Sequence, residues 1–199
     1  MTMIRRSFAK LAGAAALSVA LGGTAATAQE VTLNMHQFLP AQANVPKNIL
    51  NVWAANIEEA SEGRIKIQHY PAMQLGGKPP ELIDQVVDGV ADIVWTVSGY
   101  TPGRFPQAEV FELPFTMTNA EAASRAYWEL AQDTMMNTDF AGFKVLGLWV
   151  HGPGLIHSKD PIVSVGDLNG VKLRAPTRVT NKLFSALGAT PVGMPVPAV

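Results

Sequence analysis

The residue whose type and position indicate chemistry most clearly is Arg174. The stretch from Gly170 to Thr177 predicts a short strand, Val171 to Arg174, that Pro176 ends and that Thr177 follows as a helix N-cap. Arg174 then lies at the carboxyl end of a strand, where open α/β sheets bind their ligands. A guanidinium in that place can hold a carboxylate through two parallel hydrogen bonds. A lone arginine is more often part of a surface salt bridge, so the surrounding elements must decide between the two roles.

The sequence carries no motif of a familiar enzyme. It has no Gly-x-Ser-x-Gly nucleophile elbow and no phosphate-binding Walker loop. Gly152–His157 resembles a dinucleotide-binding fingerprint, but the third glycine is missing and no helix is predicted after it. The four histidines lack the spacing of metal ligands on a helix. An enzyme stays an alternative that no motif supports, and no cofactor or metal is expected.

The composition is that of a folded protein without nucleic-acid partners. Of the 199 residues, 48% are hydrophobic and 16% are charged, which is enough apolar material for a buried core. The formal net charge is −1 and no long basic run occurs, so nucleic acid is not an expected partner. Cysteine is absent, which excludes disulfide bonds and thiolate metal sites within this sequence.

The N-terminus has the pattern of a cleavable export signal. Three cations among the first ten residues precede an apolar run, residues 11–21, that is too short for a comfortable membrane span. Small residues then form a cleavage site that ends at Ala28. Residues 1–28 are therefore predicted to be a signal peptide for the Sec route or, because Arg5 and Arg6 are paired, the Tat route. We expect a periplasmic protein.

Residues 29–98 predict a first α/β lobe in which strands and helices alternate. The predicted strands are Val31–Phe38, Arg64–Tyr70 and Ala91–Val97, and the predicted helices span 44–62 and 79–88. The third strand is almost wholly apolar, which is typical of a central parallel strand covered on both faces. Strand-helix-strand-helix-strand order favours parallel strands joined by right-handed crossovers.

Residues 99–118 contain several glycines and prolines that break the alternation of strands and helices, and they are predicted to connect two lobes. Residues 119–199 then predict a second α/β lobe, incomplete at its end. Its first helix is expected to start from a capping box at Thr118 and Glu121. The remaining predicted elements are strands at 143–150 and 155–158, a helical turn at 165–168, the Arg174 strand, a helix at 177–187 and a strand at 189–194.

Polar and aromatic side chains follow the predicted strands at their carboxyl ends. Such ends, contributed by two facing lobes, form a cleft for a small ligand, and a buried arginine in that cleft needs an anion. The candidate ligand-binding residues are Arg174, His36, Phe38, Trp95, Ser98, Trp149, His151 and Thr177.

Six short motifs, in this order and spacing, carry a family resemblance. They are Leu33–His36, Gly63–Ile67, Gln74–Gly76, Val87–Ile93, Phe111–Phe115 and Asp167–Pro176. With them the chain resembles the periplasmic substrate-binding subunit of a tripartite ATP-independent periplasmic (TRAP) transporter, of the DctP type. The resemblance implies an α/β, periplasmic-binding-protein-like fold of the class II type with two lobes. Family members are longer, so we expect the fold here to be incomplete and the isolated chain to be unstable.

The resemblance also implies a function. In the family, the arginine that matches Arg174 clamps the ligand carboxylate, the lobes close, and the complex docks on membrane permease subunits driven by an ion gradient. We therefore expect a periplasmic solute-binding protein, monomeric and not an enzyme, that captures a small organic-acid anion. Sialic-acid-binding members carry a second arginine where this sequence has Gly154, which favours a smaller acid. Dicarboxylates, 2-oxo acids, aromatic acids and hydroxy acids stay open, as does a ligand-sensing domain of the same fold.

Overall fold

The computed structural model describes residues 30–199, so the predicted signal peptide lies outside the described residues. Two separate parallel sheets organise this range, one of three strands and one of two. The mixture of parallel strands and helices confirms the predicted α/β fold class. No helix in this range is long and apolar enough to cross a lipid bilayer.

The first sheet has the strand order β2-β1-β3 and is parallel throughout. Strand β1 is Val31–Gln37, β2 is Ile65–Tyr70 and β3 is Ile93–Trp95. β1 lies in the centre, with β2 and β3 on its two sides. The last three residues of β1 are buried, so the carboxyl end of the central strand lies in the interior.

The third strand departs from its prediction. A strand over 91–97, central and covered on both faces, was expected, but β3 has three residues, each only partly buried. β3 pairs with β1 alone within the described chain, so it occupies an edge of this sheet. An apolar run indicates burial, and it does not fix a strand's position in a sheet because that position depends on distant partners.

Helices connect these strands as predicted. Helix α1, Asn51–Ala60, continues from a π-helical turn at Pro46–Leu50 and joins β1 to β2. Helix α2, Leu82–Val87, follows a 3-10 turn at Pro79–Glu81 and joins β2 to β3. Both helices fall within the ranges that apolar periodicity predicted.

The second sheet positions Arg174. Strand β4, Lys172–Ala175, runs parallel to β5, Thr190–Gly193, and helix α4, Arg178–Ala186, crosses between them. A core cluster of buried residues supports this unit: Leu168, Leu173 and Ala189. Arg174 lies opposite Val192, one residue from the carboxyl end of β4, so its predicted place at a strand end is confirmed.

Both ends of α4 follow the predicted chemistry. The Thr177 side-chain oxygen accepts a hydrogen bond from the Thr180 backbone N–H at 3.3 Å, as an N-cap does. Gly188 ends the helix with φ +86°, a left-handed conformation that glycine adopts without a steric penalty. Its N–H donates to the Ser185 carbonyl oxygen at 3.1 Å.

Helix α3, Ala120–Leu130, begins one residue later than predicted and continues into a π-helical turn, Ala131–Met135. The Asn119 side-chain oxygen accepts from the Ala122 N–H at 2.9 Å. The predicted capping box at Thr118 was therefore wrong. Asparagine is a stronger N-cap than threonine, which explains why Asn119 and not Thr118 caps α3.

Two strands predicted in the second lobe were also wrong. Residues 143–150 and 155–158 pair with no strand in the described chain. Alternate residues such as Phe143 and Val145 pack on the core cluster that α3 helps to form, while Leu155 is exposed. The apolar pattern of 143–150 thus reflects one-sided packing of extended backbone. A strand also requires a partner at hydrogen-bonding distance, which periodicity does not supply.

Candidate ligand-binding site

The Arg174 guanidinium is held on two sides by uncharged groups. Nε donates to the Met194 carbonyl oxygen at 2.9 Å, and Nη2 donates to the Tyr100 hydroxyl oxygen at 3.3 Å. Nη1 has no hydrogen-bond partner among residues 30–199. The side chain is therefore fixed in direction and still has N–H donors for a further acceptor.

Arg174 differs from the other arginines of the described range in its charge partners. Residues 30–199 contain five arginines, and four of them form ion pairs with carboxylates. The pairs are Arg64–Glu30, Arg104–Asp84, Arg125–Glu121 and Arg178–Glu109. Arg174 is partly buried and has no carboxylate partner in this range. A partly buried charge without a counter-charge is costly, so this guanidinium is suited to an anion from outside the chain.

Four aromatic rings form a row that begins at the arginine. The Tyr100 ring lies 5.4 Å from Phe38, and Phe38 stacks on Trp95 at 5.0 Å with an interplanar angle of 24°. Trp95 stacks on Trp149 at 6.4 Å and 20°. Phe38 and Tyr100 are buried, whereas Trp149 is 40% exposed. Three of the predicted site residues, Phe38, Trp95 and Trp149, are thus brought together from segments distant in sequence.

A cavity of ≈250 Å³ lies near the start of α4, and the arginine that lines it is Arg178 and not Arg174. The start of α4, the end of β5 and residues 99–102 line this cavity. Thr177 lines it among the predicted site residues, and so do Tyr100 and Met194, the two hydrogen-bond partners of Arg174. The volume is below the range usual for drug-sized ligands.

His36 is placed differently from the other predicted residues. It is fully buried, its Nδ1 lies 2.7 Å from Gln85 Oε1, and its Nε2 accepts from the Leu75 N–H at 3.3 Å. Because an amide N–H can only donate, Nε2 is the acceptor and Nδ1 carries the proton. His36 therefore fixes the loop that follows β2, since Gln85 also donates to the Gly76 carbonyl oxygen at 3.0 Å.

His151 and Ser98 each lie two residues along the chain from an aromatic residue of the row, Trp149 and Tyr100 respectively. His151 is exposed, and its Nδ1 lies 2.5 Å from the carbonyl oxygen of the next residue, Gly152. Ser98 is partly buried and interacts with Tyr127, whose hydroxyl nevertheless lacks a partner with hydrogen-bond geometry in the described chain. Burial raises the pKa of Tyr127 to about 12, so its phenol stays neutral at physiological pH.

Glu112, Gly99 and Thr177 meet where the 99–118 segment contacts the start of α4. A methyl group built on Gly99 would overlap both Glu112 Oε1 and Thr177 Cγ2. Burial raises the pKa of Glu112 above its usual value, and the nearby Thr177 side chain partly opposes this effect. The second carboxyl oxygen, Oε2, is buried and lacks a hydrogen-bond partner in the described range.

Tyr100, Met194 and Glu112 were not among the sequence-predicted residues. Tyr100 directly follows Ser98 and Gly99 in the segment predicted to connect the lobes, and an aromatic residue there was a usable signal. Met194 acts through its backbone carbonyl oxygen, which no side-chain pattern predicts. In the same described residues no cluster of three or more His, Cys, Asp or Glu side chains suits a metal ion.

Solved structures similar to this chain are solute-binding proteins. A TRAP solute-binding protein from Rhodoferax ferrireducens T118, in complex with copurified benzoate, is 55% identical with a TM-score of 0.81. That match covers 84% of this chain and 52% of the other. A marine metagenome TRAP solute-binding protein specific for aromatic acid ligands, in complex with metahydroxyphenylacetate, is also 55% identical with a TM-score of 0.82. That match covers 85% of this chain and 53% of the other.

A curated relative is likewise matched over about half of its length. The protein described as outer membrane transporter protein TsaT, from Comamonas testosteroni, is 30% identical over 173 residues, which are 86% of this chain and 51% of that protein. The chain therefore spans about half the length of the relatives it matches. Residues 35–199 match the family described as bacterial extracellular solute-binding protein, family 7. The arginine at the end of β4, the α/β fold and this match over most of the sequence agree, and the chain belongs to the DctP family of TRAP solute-binding proteins.

Proposed function

We propose that this chain belongs to a periplasmic protein that captures a small aromatic carboxylate and delivers it to the membrane subunits of a TRAP transporter. The observation that carries the proposal is Arg174, fixed at the end of β4 and without a carboxylate partner in residues 30–199. The similar proteins with bound benzoate and metahydroxyphenylacetate support an aromatic acid. Export by the signal peptide at residues 1–28 and a monomeric state are part of the same proposal.

The free donors of Arg174 define how the anion is held. Nη1 has no hydrogen-bond partner in residues 30–199 and Nη2 has a second N–H, so the guanidinium keeps donors for the oxygens of a carboxylate. The ligand ring then extends toward the row of Phe38, Trp95 and Trp149, where offset stacking on aromatic faces is favourable. His36 contributes indirectly by holding the loop after β2.

The remaining predicted residues border this ligand. Thr177 lines the cavity and caps α4, so it holds the helix start next to the arginine. Ser98 and His151, each two residues along the chain from an aromatic residue of the row, form the rim of the site in this proposal. Gly154 is exposed and stands where the family resemblance expects the second arginine of sialic-acid-binding members. Because glycine supplies no guanidinium, sialic acid is not expected to be a ligand.

The test is a calorimetric titration of the mature protein, expressed in the full length that its gene encodes. Benzoate, 3-hydroxybenzoate, benzamide and sialic acid form the ligand panel. We expect benzoate or 3-hydroxybenzoate to bind, with benzamide and sialic acid at least tenfold weaker. In the variant Arg174→Ala, carboxylate affinity should fall by at least about 30-fold, because the partner charge in a desolvated pair is lost.

Arg125→Ala is the matched control, since this arginine is exposed and pairs with Glu121 on its own helix. It should leave the affinity unchanged. Equal affinity of wild type and Arg174→Ala for the same acid would remove Arg174 from the site. Preference for benzamide over benzoate would refute the carboxylate assignment itself.

A further inference from the structure

Gln37, the last residue of β1, binds the backbone on the far side of Phe38. The Gln37 side chain is fully buried. Its Oε1 accepts a hydrogen bond from the Leu39 backbone N–H, and its Nε2 donates to the Leu39 carbonyl oxygen at 2.9 Å. One side-chain amide thus holds both backbone groups of the residue that follows Phe38. This pair of hydrogen bonds fixes the backbone from which the Phe38 ring projects.

His69 on β2 fixes the orientation of the same amide. His69 Nε2 lies 3.2 Å from Gln37 Nε2. Because an amide nitrogen can only donate, His69 Nε2 is the acceptor and the ring carries its proton on Nδ1. Nδ1 then donates to Asn51 Oδ1 at 2.6 Å. The two N–H groups of Gln37 are therefore both in use, one to Leu39 and one to His69.

A second proton on His69 would release the amide. The new Nε2–H would face the NH₂ group of Gln37, and two donors repel each other. If the amide turned its oxygen toward His69, that oxygen would no longer accept from the Leu39 N–H. Burial and the neighbouring His36, in that order, lower the pKa of His69 from its ordinary value of 6.5. The ring is therefore uncharged at neutral pH, as the hydrogen bonds require.

The groups around His69 oppose a positive charge on its ring. The titratable group that acts on it from β1 is His36, and its partner on α1 is the uncharged Asn51. Lys47, one turn before Asn51 in the same helical segment, is a further cation. The carboxylates of α1 begin at Glu58, about two helical turns from Asn51. No ion pair in residues 30–199 includes His69.

Phe38 connects this hydrogen-bond network to the aromatic row. Its ring is 3% exposed, stacks on Trp95 at 5.0 Å and lies 5.4 Å from Tyr100. We propose that Gln37 and His69 are positioning residues that give the site its preference for aromatic over aliphatic acids. They hold the Phe38 ring, and Phe38 holds its stacked neighbour Trp95. This inference rests on the proposed function, in which the ring of the ligand stacks on this row.

The first experiment measures the affinities of the full-length mature protein for benzoate and cyclohexanecarboxylate by calorimetry. The two anions have the same charge and similar size, but only benzoate has a π face. Wild type should prefer benzoate about 2- to 12-fold, the range expected for an aromatic pair beyond simple burial. Gln37→Met keeps the length of the side chain and removes the amide, so this preference should disappear. Gln132→Met is the matched control, because Gln132 is exposed, and it should keep the preference.

The second experiment repeats both titrations between pH 7.5 and pH 5.5. The preference of wild type for benzoate should fall as the pH drops below 6.5, because protonated His69 no longer accepts from Gln37. His69→Gln supplies an uncharged acceptor and should keep the preference over the whole range. His157→Gln is the matched control, since His157 is exposed, and it should show the pH dependence of wild type.

An undiminished preference for benzoate in folded Gln37→Met would overturn the inference. The same pH dependence in His69→Gln as in wild type would also overturn it, and this comparison decides alone if Gln37→Met does not fold. If wild type binds both acids equally, the inference fails while capture of a carboxylate stands. If wild type binds neither acid nor any other carboxylate, the proposed function itself fails, and the inference fails with it.

Discussion

Gly99 is the position at which a single added methyl group should disturb the site most directly. In the structure, a Cβ atom on Gly99 would overlap Glu112 Oε1 and Thr177 Cγ2 and would lie 3.0 Å from Thr177 Cβ. Ordinary van der Waals contacts need 3.4 Å or more, so Thr177 or Gly99 must move. Thr177 is buried and caps α4, which leaves it little room to yield.

The expected cost of Gly99→Ala follows from this geometry. Overpacking by one methyl group usually costs about 1–3 kcal/mol of unfolding free energy. Displacement of the Thr177 cap accounts for about 1 kcal/mol of that range. Urea denaturation followed by circular dichroism measures the change as a lower midpoint concentration for Gly99→Ala than for wild type.

Gly152→Ala is the control for this substitution. A Cβ atom on Gly152 meets nothing within 4 Å, and its φ is not in the left-handed region. This variant should unfold at the wild-type midpoint. If Gly99→Ala also unfolds there, the contact between the 99–118 segment and the start of α4 does not exist in solution, and the placement of Thr177 beside the cavity is refuted.

Two further substitutions test the cap of α3 and the buried carboxyl. Asn119→Ala should lose about 1 kcal/mol of unfolding free energy, because the Ala122 N–H loses its acceptor. Thr118→Ala should lose almost none. Equal losses in the two variants would contradict the assigned cap. Burial raises the pKa of Glu112, so the folded state binds more protons than the unfolded state, and wild-type stability should fall as pH rises from 4.5 through the raised value. Glu112→Gln should flatten that slope and stabilise the protein at neutral pH. Thermal unfolding should be measured across this pH window, with the exposed Glu129→Gln as the control. A pH slope of stability in Glu112→Gln as steep as in wild type would contradict the reasoning.

Local rules in the sequence predicted much of the fold correctly. Alternating apolar residues predicted β1 and β2, and helical periodicity predicted α1, α2 and α4. The cap at Thr177 and the terminating Gly188 were also predicted, because a cap depends on residues within one helical turn. The same local reasoning placed Arg174 at the end of a strand.

The errors share a physical origin. Residues 143–150 have the apolar pattern of a strand, yet no partner strand pairs with them in the described range. β3 has the composition of a central strand, yet it pairs with β1 alone among residues 30–199. Pairing and sheet order are set by segments far away in sequence, so a pattern of period two predicts extended backbone and not the neighbour it bonds to.

Residue types and their spacing predicted the fold class, the family resemblance and Arg174 as the candidate residue for an anion. Tertiary packing leaves Arg174 without a carboxylate partner in the described chain, while the other four arginines of that range each have one. It also brought Tyr100 to Arg174 across 74 positions of sequence. The physical reason is that residue type and spacing fix local hydrogen bonds, whereas the charge balance and donor count of a site depend on distances between remote segments.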